Sequence, residues 1–527
     1  MGSLFAAKEP LNLAYSMATK GITQISETKG AESINKTPTD SRDLDDTYQL
    51  YRNQDGAELN EVEAKRVLRK IDLKLLPLLM GTYMLQYLDK SSINFASVYG
   101  LREGTNLQGQ QYAWLGSIFY FGYLVAQYPA GYALQRLPTA KFIGCTILAW
   151  GILTIVTPAC SSFAGIATTR FLLGVFEGVV NPGLVLVMAM WYRKEEQPLR
   201  LVIYYCMNGI AVIFGGLLGY AIGHITTGLE RWMYVFLIFG AVSIAWGIVF
   251  LLSMPDLPSV ARFLSADEQI VAIERVAANR QGVKNHHFKW DQAKQAALDP
   301  KTWILFIMSV AGQIPNAAHG TFLSIILKSF GFTSLQTQYM QMPGAGVQIV
   351  SLLASGYIAS RWPNMRCTVM IIGNLACVAC GGALVGLDVD QHWGRLVALW
   401  LCGLQSVGFA LSLTMVSSNV AGYTKKQLTG AAVFVGYCVG NIIGPQTFIE
   451  SEAPAYTSAY IAILIGYSVK TVMVIILYAY MWAVNKKRDR EVASLSPEAR
   501  AAIEKEAIER GMQDATELDN KGFRYSL

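Results

Sequence analysis

Twelve times along the chain the sequence runs apolar for about 20 residues or more, interrupted by short polar turns. That pattern constrains the fold more than any motif does. A run of this length crosses the hydrocarbon core of a bilayer as a helix. Backbone polar groups must be satisfied internally there, so the spans are helical. The spans are expected at about 73–98, 111–134, 141–160, 163–191, 200–224, 232–254, 302–328, 337–360, 367–386, 394–422, 428–449 and 458–484. Composition agrees: 53% of the 527 residues are hydrophobic and 15% are charged. A soluble protein of this size could not cover so much apolar surface with so little charge. The expected fold class is an all-α membrane protein of twelve transmembrane helices in two six-helix halves.

The rest of the chain sorts around these spans. Residues 1–70 read as a polar cytosolic tail closed by an amphipathic helix at about 60–70, with no signal-peptide pattern. Residues 71–254 form the first half. Residues 255–301 read as a cytosolic linker with one amphipathic helix near 266–279. Residues 302–485 form the second half, and 486–527 a polar cytosolic tail. Removing the chain beyond about Arg490 deletes no span and no midplane charge, so transport is expected to survive it. Lys and Arg in the short loops favour one side. Arg136, Lys141, Arg193, Lys194, Arg361, Arg366, Lys425 and Lys426 stand against Arg102, Arg231, Lys328 and Arg395. The asymmetry places both termini in the cytosol.

An internal repeat supports the two halves. Gly131, Tyr132, Arg136, Pro138 and Lys141 follow the second span. Gly356, Tyr357, Arg361, Pro363 and Arg366 follow the eighth with the same spacing. Parallel halves of six helices suggest a transporter that rocks around a midplane site, with these loops as gating elements.

Charges within the spans mark that site, because each costs at least about 2.5–3.5 kcal/mol to place there. Arg170 and Glu177 lie on one face of the fourth span, nearly two turns apart, with Gly174 between them. Asp89 and Lys90 lie about 24 Å along the first span, a depth similar to that of Glu177 at about 21 Å. With all four ionised the cluster is neutral. Protonating one carboxylate leaves it at +1, which favours one anionic substrate group. Glu177 is assigned as proton carrier, with Asp89 as the next candidate. Arg170 is assigned as the anion anchor because its planar fork binds a carboxylate bidentately. Lys90 is a second substrate contact, and Asp89 with Lys90 orients the cluster. An inert ion pair is the competing reading for each pair.

The second half offers polar rather than charged candidates: Gln313, Asn316 and His319 in span seven, Gln405 in span ten and Asn441 in span eleven. Gln313, Asn316 and Asn441 are assigned to the substrate body, against the alternative of plain interhelical bonds of about 0.6–2 kcal/mol. Lys470 lies mid-span in the twelfth helix, which is expected on the outside of the bundle; snorkelling or a shifted span would account for it. Gly215, Gly219 and Gly223 in span five and Gly436, Gly440 and Gly444 in span eleven form smooth stripes. They are expected to pack against spans eight and two across the two halves, as sliding seams. Cys377 and Cys380 lie in an apolar helix without a metal-ligand pattern.

The arrangement resembles the major facilitator fold. The run from Leu88 to Ile93, Arg170 with Gly174 and Glu177, the run Asn441, Gly444, Pro445 and Gln446, and the closing Phe523, Arg524, Tyr525 and Leu527 resemble the fungal allantoate permease family, a branch of the anion:cation symporters. The resemblance runs from about Arg69 to the end of the chain. Gln135 stands where most facilitators carry aspartate, and Pro138 where they carry glycine. The resemblance implies proton-coupled symport of a small organic anion such as allantoate, nicotinate, pantothenate or biotin, by a monomer in the plasma membrane. No cofactor, metal or nucleic-acid partner is expected.

A proton-coupled exporter is the alternative, but Gly215 and Gly216 lack the neighbouring proline of the usual exporter pattern. An enzyme is not expected: no zinc-spacing histidines, P-loop or nucleophile elbow appears. A nutrient sensor would need a larger cytosolic domain than these tails supply.

Overall fold

A computed structural model describes residues 61–193, 196–277, 288–362, 364–388, 390–496, 500, 506–507 and 515–527. The described residues are helical, with no strand among them. The twelve spans are Glu61–Ala96, Gln111–Arg136, Thr139–Ala159, Phe163–Trp191, Leu199–Gly223, Arg231–Ser253, the broken run of Pro300–Gln313, Asn316–Gly320 and Leu323–Ser329, then Ser334–Arg361, Arg366–Gly386, His392–Asn419, Tyr423–Gln446 and Thr457–Ala493. Among the described residues, nine of these are long and apolar enough to cross a membrane by composition alone. The other three are spans one, two and seven. Span one carries charge and span seven is broken.

Two boundaries differ from expectation. The amphipathic helix expected at about 60–70 is continuous with span one, because nothing between Lys70 and Leu75 breaks a helix. The linker holds two helices rather than one, Ala266–Ala277 and Trp290–Leu298. The first belongs to the first half, through Lys70 to Glu268 (2.6 Å) and Arg275 to Glu196 (2.8 Å). The second belongs to the other half. There Gln292 Oε1 accepts from the Thr424 amide (3.0 Å), and the amide of the preceding Lys289 donates to Thr424 Oγ1 (3.2 Å). Residues 278–287, including the end of the expected linker helix, lie outside the described residues, as does the N-terminal tail up to residue 60.

Several spans break within the bundle, span eight among them between Tyr339 and Met342. Span four breaks at Gly178, span five around Cys206, span seven at Pro315 and span ten at Cys402–Leu404. Span four shows how sequence causes this. Pro182 has no N–H to give Gly178, and the freed Gly178 carbonyl accepts instead from Gln127 Nε2 (3.0 Å). Gly174 lets this helix lie on span two: a Cβ there would sit 2.0 Å from the Phe119 carbonyl oxygen, and one at Gly122 would sit 2.1 Å from that of Phe171. The contact fixes the height of Arg170 and Glu177 in the bundle.

The glycine stripes divide. Gly219 and Gly223 face span eight, where a Cβ would meet Gln338 and Leu335. Gly215 faces Leu88 and Phe95 of its own half. Gly436, Gly440 and Gly444 face the carbonyls of Phe306, Val310 and Ile314 in span seven, not span two. Span eleven does reach span two, through Ser117 and Ile442, but on a different face of its helix. The second stripe is therefore a seam within one half. Reading glycine spacing alone located the stripe but not the side it faces.

The closing segment is built into the fold. Glu517 is fully buried and pairs with Lys301 (2.6 Å) and with Lys425. Asp299 completes the cluster at 2.7 Å from Lys425 and 3.4 Å from Lys301. Tyr525 bonds Lys301 Nζ (2.8 Å), Asn419 exchanges bonds with Ser526, and the Leu527 carbonyl accepts from the Arg366 amide (3.1 Å). Arg488 donates to the Glu517 and Phe523 carbonyls. The chain beyond about Arg490 holds no span, but residues 515–527 tie together the ends of spans seven, nine, ten, eleven and twelve.

Candidate functional site

A cavity of about 260 Å³ lies between the two halves at the level of the helix breaks. Its walls are strongly aromatic. Tyr83, Tyr87, Tyr120, Tyr123 and Tyr205 face Phe409, Phe434 and Tyr437. Tyr123 stacks on Phe434 across the halves, with ring centroids 5.5 Å apart. Polar edges come from Gln86, Asn181 and Asn208 on one side and from Gln313, Asn316, His319, Gln341, Gln348 and Gln405 on the other. No carboxylate lines it, and Lys90 and His319 are the lining groups able to carry positive charge.

The far end of the cavity, away from the face that carries Glu61 and Leu527, is closed by bonds that cross the halves. Asn94 Nδ2 donates to Gln341 Oε1 (3.0 Å), and Asn94 Oδ1 accepts from the Ser324 amide (2.8 Å). Tyr112 donates to the Thr321 carbonyl (2.7 Å), Ser117 to that of Ile442 (2.7 Å), and Gln446 Nε2 to Ser117 (2.9 Å).

The four spanning charges of the first half come together, but only one reaches the cavity. Lys90 points its ammonium into it, 4.9 Å from the Tyr87 ring centre and 5.9 Å from that of Tyr120. Among the described residues it has no ion-pair or hydrogen-bond partner there. Arg170 is 3% exposed and lies behind the wall. Its guanidinium donates to Ser92 Oγ (2.9 Å) and to the Lys90 carbonyl (3.3 Å), beside the Phe236 ring. The assignment of Arg170 as direct anion anchor is corrected by this geometry. The helical face that carries it turns toward span one, so the fork braces the backbone on which Lys90 sits.

Glu177 is fully buried, and neither carboxyl oxygen has a hydrogen-bond partner among the described residues. It lies within electrostatic reach of Lys90, Arg170 and Asp89, with the Gln86 amide beside it but not completing a bond of good geometry. Asp89 accepts from Ser243 through Oδ2, while its Oδ1 is unpartnered. Asp89 and Lys90 are neighbours in sequence, so they point to different sides of the helix and form no ion pair.

In the second half, Gln313 and Asn316 line the cavity, while Asn441 is 1% exposed and holds them. Asn316 donates to Asn441 Oδ1 (2.8 Å), and Asn441 donates to Gln313 Oε1 (3.2 Å) and to the Tyr437 carbonyl (2.8 Å). Asn441 is a positioning residue. Lys470 is not on the outside: it is 3% exposed, inside the bundle.

The loop residues stay apart from the cavity. Arg136 stacks on Tyr132 (4.7 Å), and Lys141 lies 3.9 Å from Asp256. Arg361 is exposed and Arg366 donates to Ser418 (2.5 Å). Gly131 has open space where a Cβ would go, and Gly356 has it to within 3.8 Å of Val202.

The aromatic lining was not anticipated from sequence. Aromatics at helical spacing in an apolar span look alike whether they face lipid, neighbour or cavity.

Two six-helix halves enclosing a central cavity at broken helices define a membrane transporter. The chain belongs to the Major Facilitator Superfamily, whose model matches residues 79–445. It is 37% identical to an uncharacterized transporter of Schizosaccharomyces pombe, over 88% of this chain and 87% of that one. It is 33% identical to the allantoate permease of Saccharomyces cerevisiae, over 92% and 90% respectively. The likeness agrees with the allantoate permease branch of the superfamily. Among solved structures the fold is similar to a D-xylose–proton symporter (TM-score 0.55, 11% identity, 78% of this chain and 97% of that one). It is also similar to a bacterial homolog of the lysosomal transporter Spinster in an inward-facing, occupied conformation (TM-score 0.53, 14% identity, 77% and 95%).

Proposed function

We propose that this transporter takes up a small organic anion together with a proton, by alternating access, with both termini in the cytosol and the far face outside. One observation carries the anion: the Lys90 ammonium faces a cavity with no carboxylate in its walls and, among the described residues, makes no ion pair or hydrogen bond of its own. A carboxylate at Lys90 would replace the water that the cation otherwise needs. The tyrosines around it suit a flat or ring-bearing body, and the Gln313, Asn316 and His319 edge suits hydrogen bonding to neutral groups. The loop-charge asymmetry supports the orientation. The relation to allantoate permease supports the substrate class.

Glu177 is the proton carrier in this reading. It stands one layer behind Lys90, and its charge is the one that competes with the substrate for the two cations. A proton on Glu177 leaves the cluster at +1 and ready for an anion. Release of substrate toward the terminal face returns the field of Lys90 and Arg170 to Glu177, which stabilises its carboxylate and lets the proton leave. Each partner thereby stabilises the binding of the other, as coupling requires.

Glu177→Gln holds the protonated charge state permanently. In proteoliposomes the variant is expected to exchange labelled for unlabelled substrate, but not to concentrate it, and to lose dependence on external pH. Uphill uptake with unchanged pH dependence would move the proton to Asp89. Lys90→Gln is expected to raise the KM for the anion by tenfold or more (about 1.4 kcal/mol). Imposing the proton gradient in each direction separates uptake from export.

A further inference from the structure

Lys470 is the one lysine or arginine in the middle of a span of the second half. It lies 13 residues into Thr457–Ala493, about 20 Å deep at 1.5 Å per residue. The side chain turns inward through two gaps. A Cβ on Gly312 would sit 3.0 to 3.3 Å from its Cδ, Cε and Nζ, and one on Gly408 would sit 2.7 Å from Nζ. Any larger residue at either position would occupy the path of the lysine. The ammonium stops against the backbone of span ten, donating to the Gln405 carbonyl (3.2 Å). Gly312 and Gln405 both line the cavity, so the charge lies directly behind its second-half wall.

Among the described residues no carboxylate forms an ion pair with Lys470. Between residues 302 and 485 the carboxylates are Asp388, Asp390, Glu450 and Glu452, all in the loops at the far face. Beside Lys470 lies Asn374, fully buried, with both amide atoms unpartnered among the described residues. A Cβ on Gly408 would meet Asn374 Oδ1 and Lys470 Nζ at the same 2.7 Å. A cation with spare donors and an unspent amide therefore share one pocket behind the wall. The first half contrasts with this: there Asp89 and Glu177 accompany Lys90 and Arg170.

We propose that Lys470, with Asn374, is the second-half determinant for a doubly negative substrate. The proposal rests on the anion reading above and sharpens it. With Glu177 protonated the first-half cluster carries +1, and Lys470 adds a second positive charge at the opposite wall. A dicarboxylate or other dianion neutralises both, with one end at Lys90 and the other toward Gln405. Lys470 acts through the low-dielectric wall as a positioning charge.

The test uses full-length protein in nanodiscs, at a pH where both carboxyls of a diacid are ionised. Binding is measured for succinate against butyrate, glutarate against valerate, and the corresponding neutral amides. The wild type is expected to bind at least one diacid about tenfold more tightly than its matched monoacid. Lys470→Met keeps the stem and removes the charge; it should reduce that ratio to within about twofold, with the larger loss falling on the diacid. Asn374→Asp neutralises the charge in place and should do the same, so a folding defect in one variant does not decide the matter. Lys90→Gln should weaken diacid and monoacid alike. The proposal is overturned if no diacid outbinds its monoacid in the wild type, or if both Lys470→Met and Asn374→Asp keep the preference. Neutral amides binding as well as the acids would overturn the anion reading itself.

Discussion

The two faces of the bundle are held by different chemistry. At the far face the contacts cross between halves and are nearly all neutral: Asn94 with Gln341 and Ser324, Tyr112 with Thr321, Ser117 with Ile442 and Gln446. At the terminal face the strong contacts are ionic and stay within a half. Arg200 grips Asp72 through two bonds (2.7 and 2.5 Å), and Lys301, Lys425, Asp299 and Glu517 form their cluster on the other half. A neutral hydrogen bond is worth about 1 kcal/mol net and exchanges readily with water. A buried ion pair costs several kcal/mol to break. A rocking transporter must break the bonds between halves in every cycle and those within a half never. The distribution follows from that demand. Among the described residues, the one ion pair at the far face that joins the halves, Arg102 with Glu450 at 3.3 Å, is partly exposed and screened accordingly.

The contrast is tested most severely at Glu517. Glu517→Ala leaves Lys301 and Lys425 sharing Asp299 alone, in a site that is at most 1% exposed. The expected loss is about 3–5 kcal/mol within the second half. It should appear as a lower thermal unfolding temperature of the purified protein and less protein at the membrane. Truncation after residue 514 should do at least as much. Burial pushes the Asp299 carboxyl up, but Lys301 and Lys425 outweigh it and hold it below its ordinary value. Its contribution is therefore complete above the ordinary carboxylate pKa and is lost only as pH falls through the depressed one. The unfolding temperature should not fall between pH 7 and pH 5 on account of Asp299. Wild-type stability in the truncated protein would show the strap to be decoration.

Asn94→Ala attacks the other face. It removes two bonds between halves and leaves the Gln341 amide oxygen and the Ser324 amide without partners, at about 1–3 kcal/mol for each group stranded out of water. Because the loss falls on this conformation and not on the alternative one, the population should shift toward opening at the far face. A cysteine at Gln446 should then react faster with an impermeant thiol reagent added outside, while the unfolding temperature changes little. An unchanged labelling rate with a large stability loss would mean that Asn94 holds the fold rather than the gate.

How far the sequence could be read follows the same division. Span number, the paired halves and the depth of Asp89, Lys90, Arg170 and Glu177 follow from hydropathy, spacing and helical rise, which are local. What did not follow is rotation. A helix with charge or glycine on one face does not say what that face meets. Arg170 was therefore read into the cavity rather than behind Lys90, and Gly436, Gly440 and Gly444 were set against the wrong neighbour. Lys470 failed for a related reason: its path inward exists because Gly312 and Gly408 are glycines some 60 to 160 residues away in sequence. Glu517 was not singled out because an acidic residue in a polar tail resembles any solvated charge until Lys301 and Lys425 are seen to share a single buried Asp299.

The smallest effect is expected where a terminal-face ion pair is exposed. Lys70 reaches Glu268 of the linker helix at 2.6 Å, but the lysine side chain is 41% exposed. The hydrogen bond from Lys70 and the Ser265 amide hold the Glu268 carboxyl below its ordinary value. Solvent screening limits such a pair to less than about 1 kcal/mol. Glu268→Gln should therefore move the unfolding temperature by no more than a degree or two and leave KM unchanged. High salt should erase even that difference, because screening acts on exposed charges first. The Glu517 cluster, shielded from solvent, should keep its effect in the same salt. If Glu268→Gln instead matched Glu517→Ala, burial would not be what separates the two, and the linker helix would have to be counted as part of the moving core of the first half.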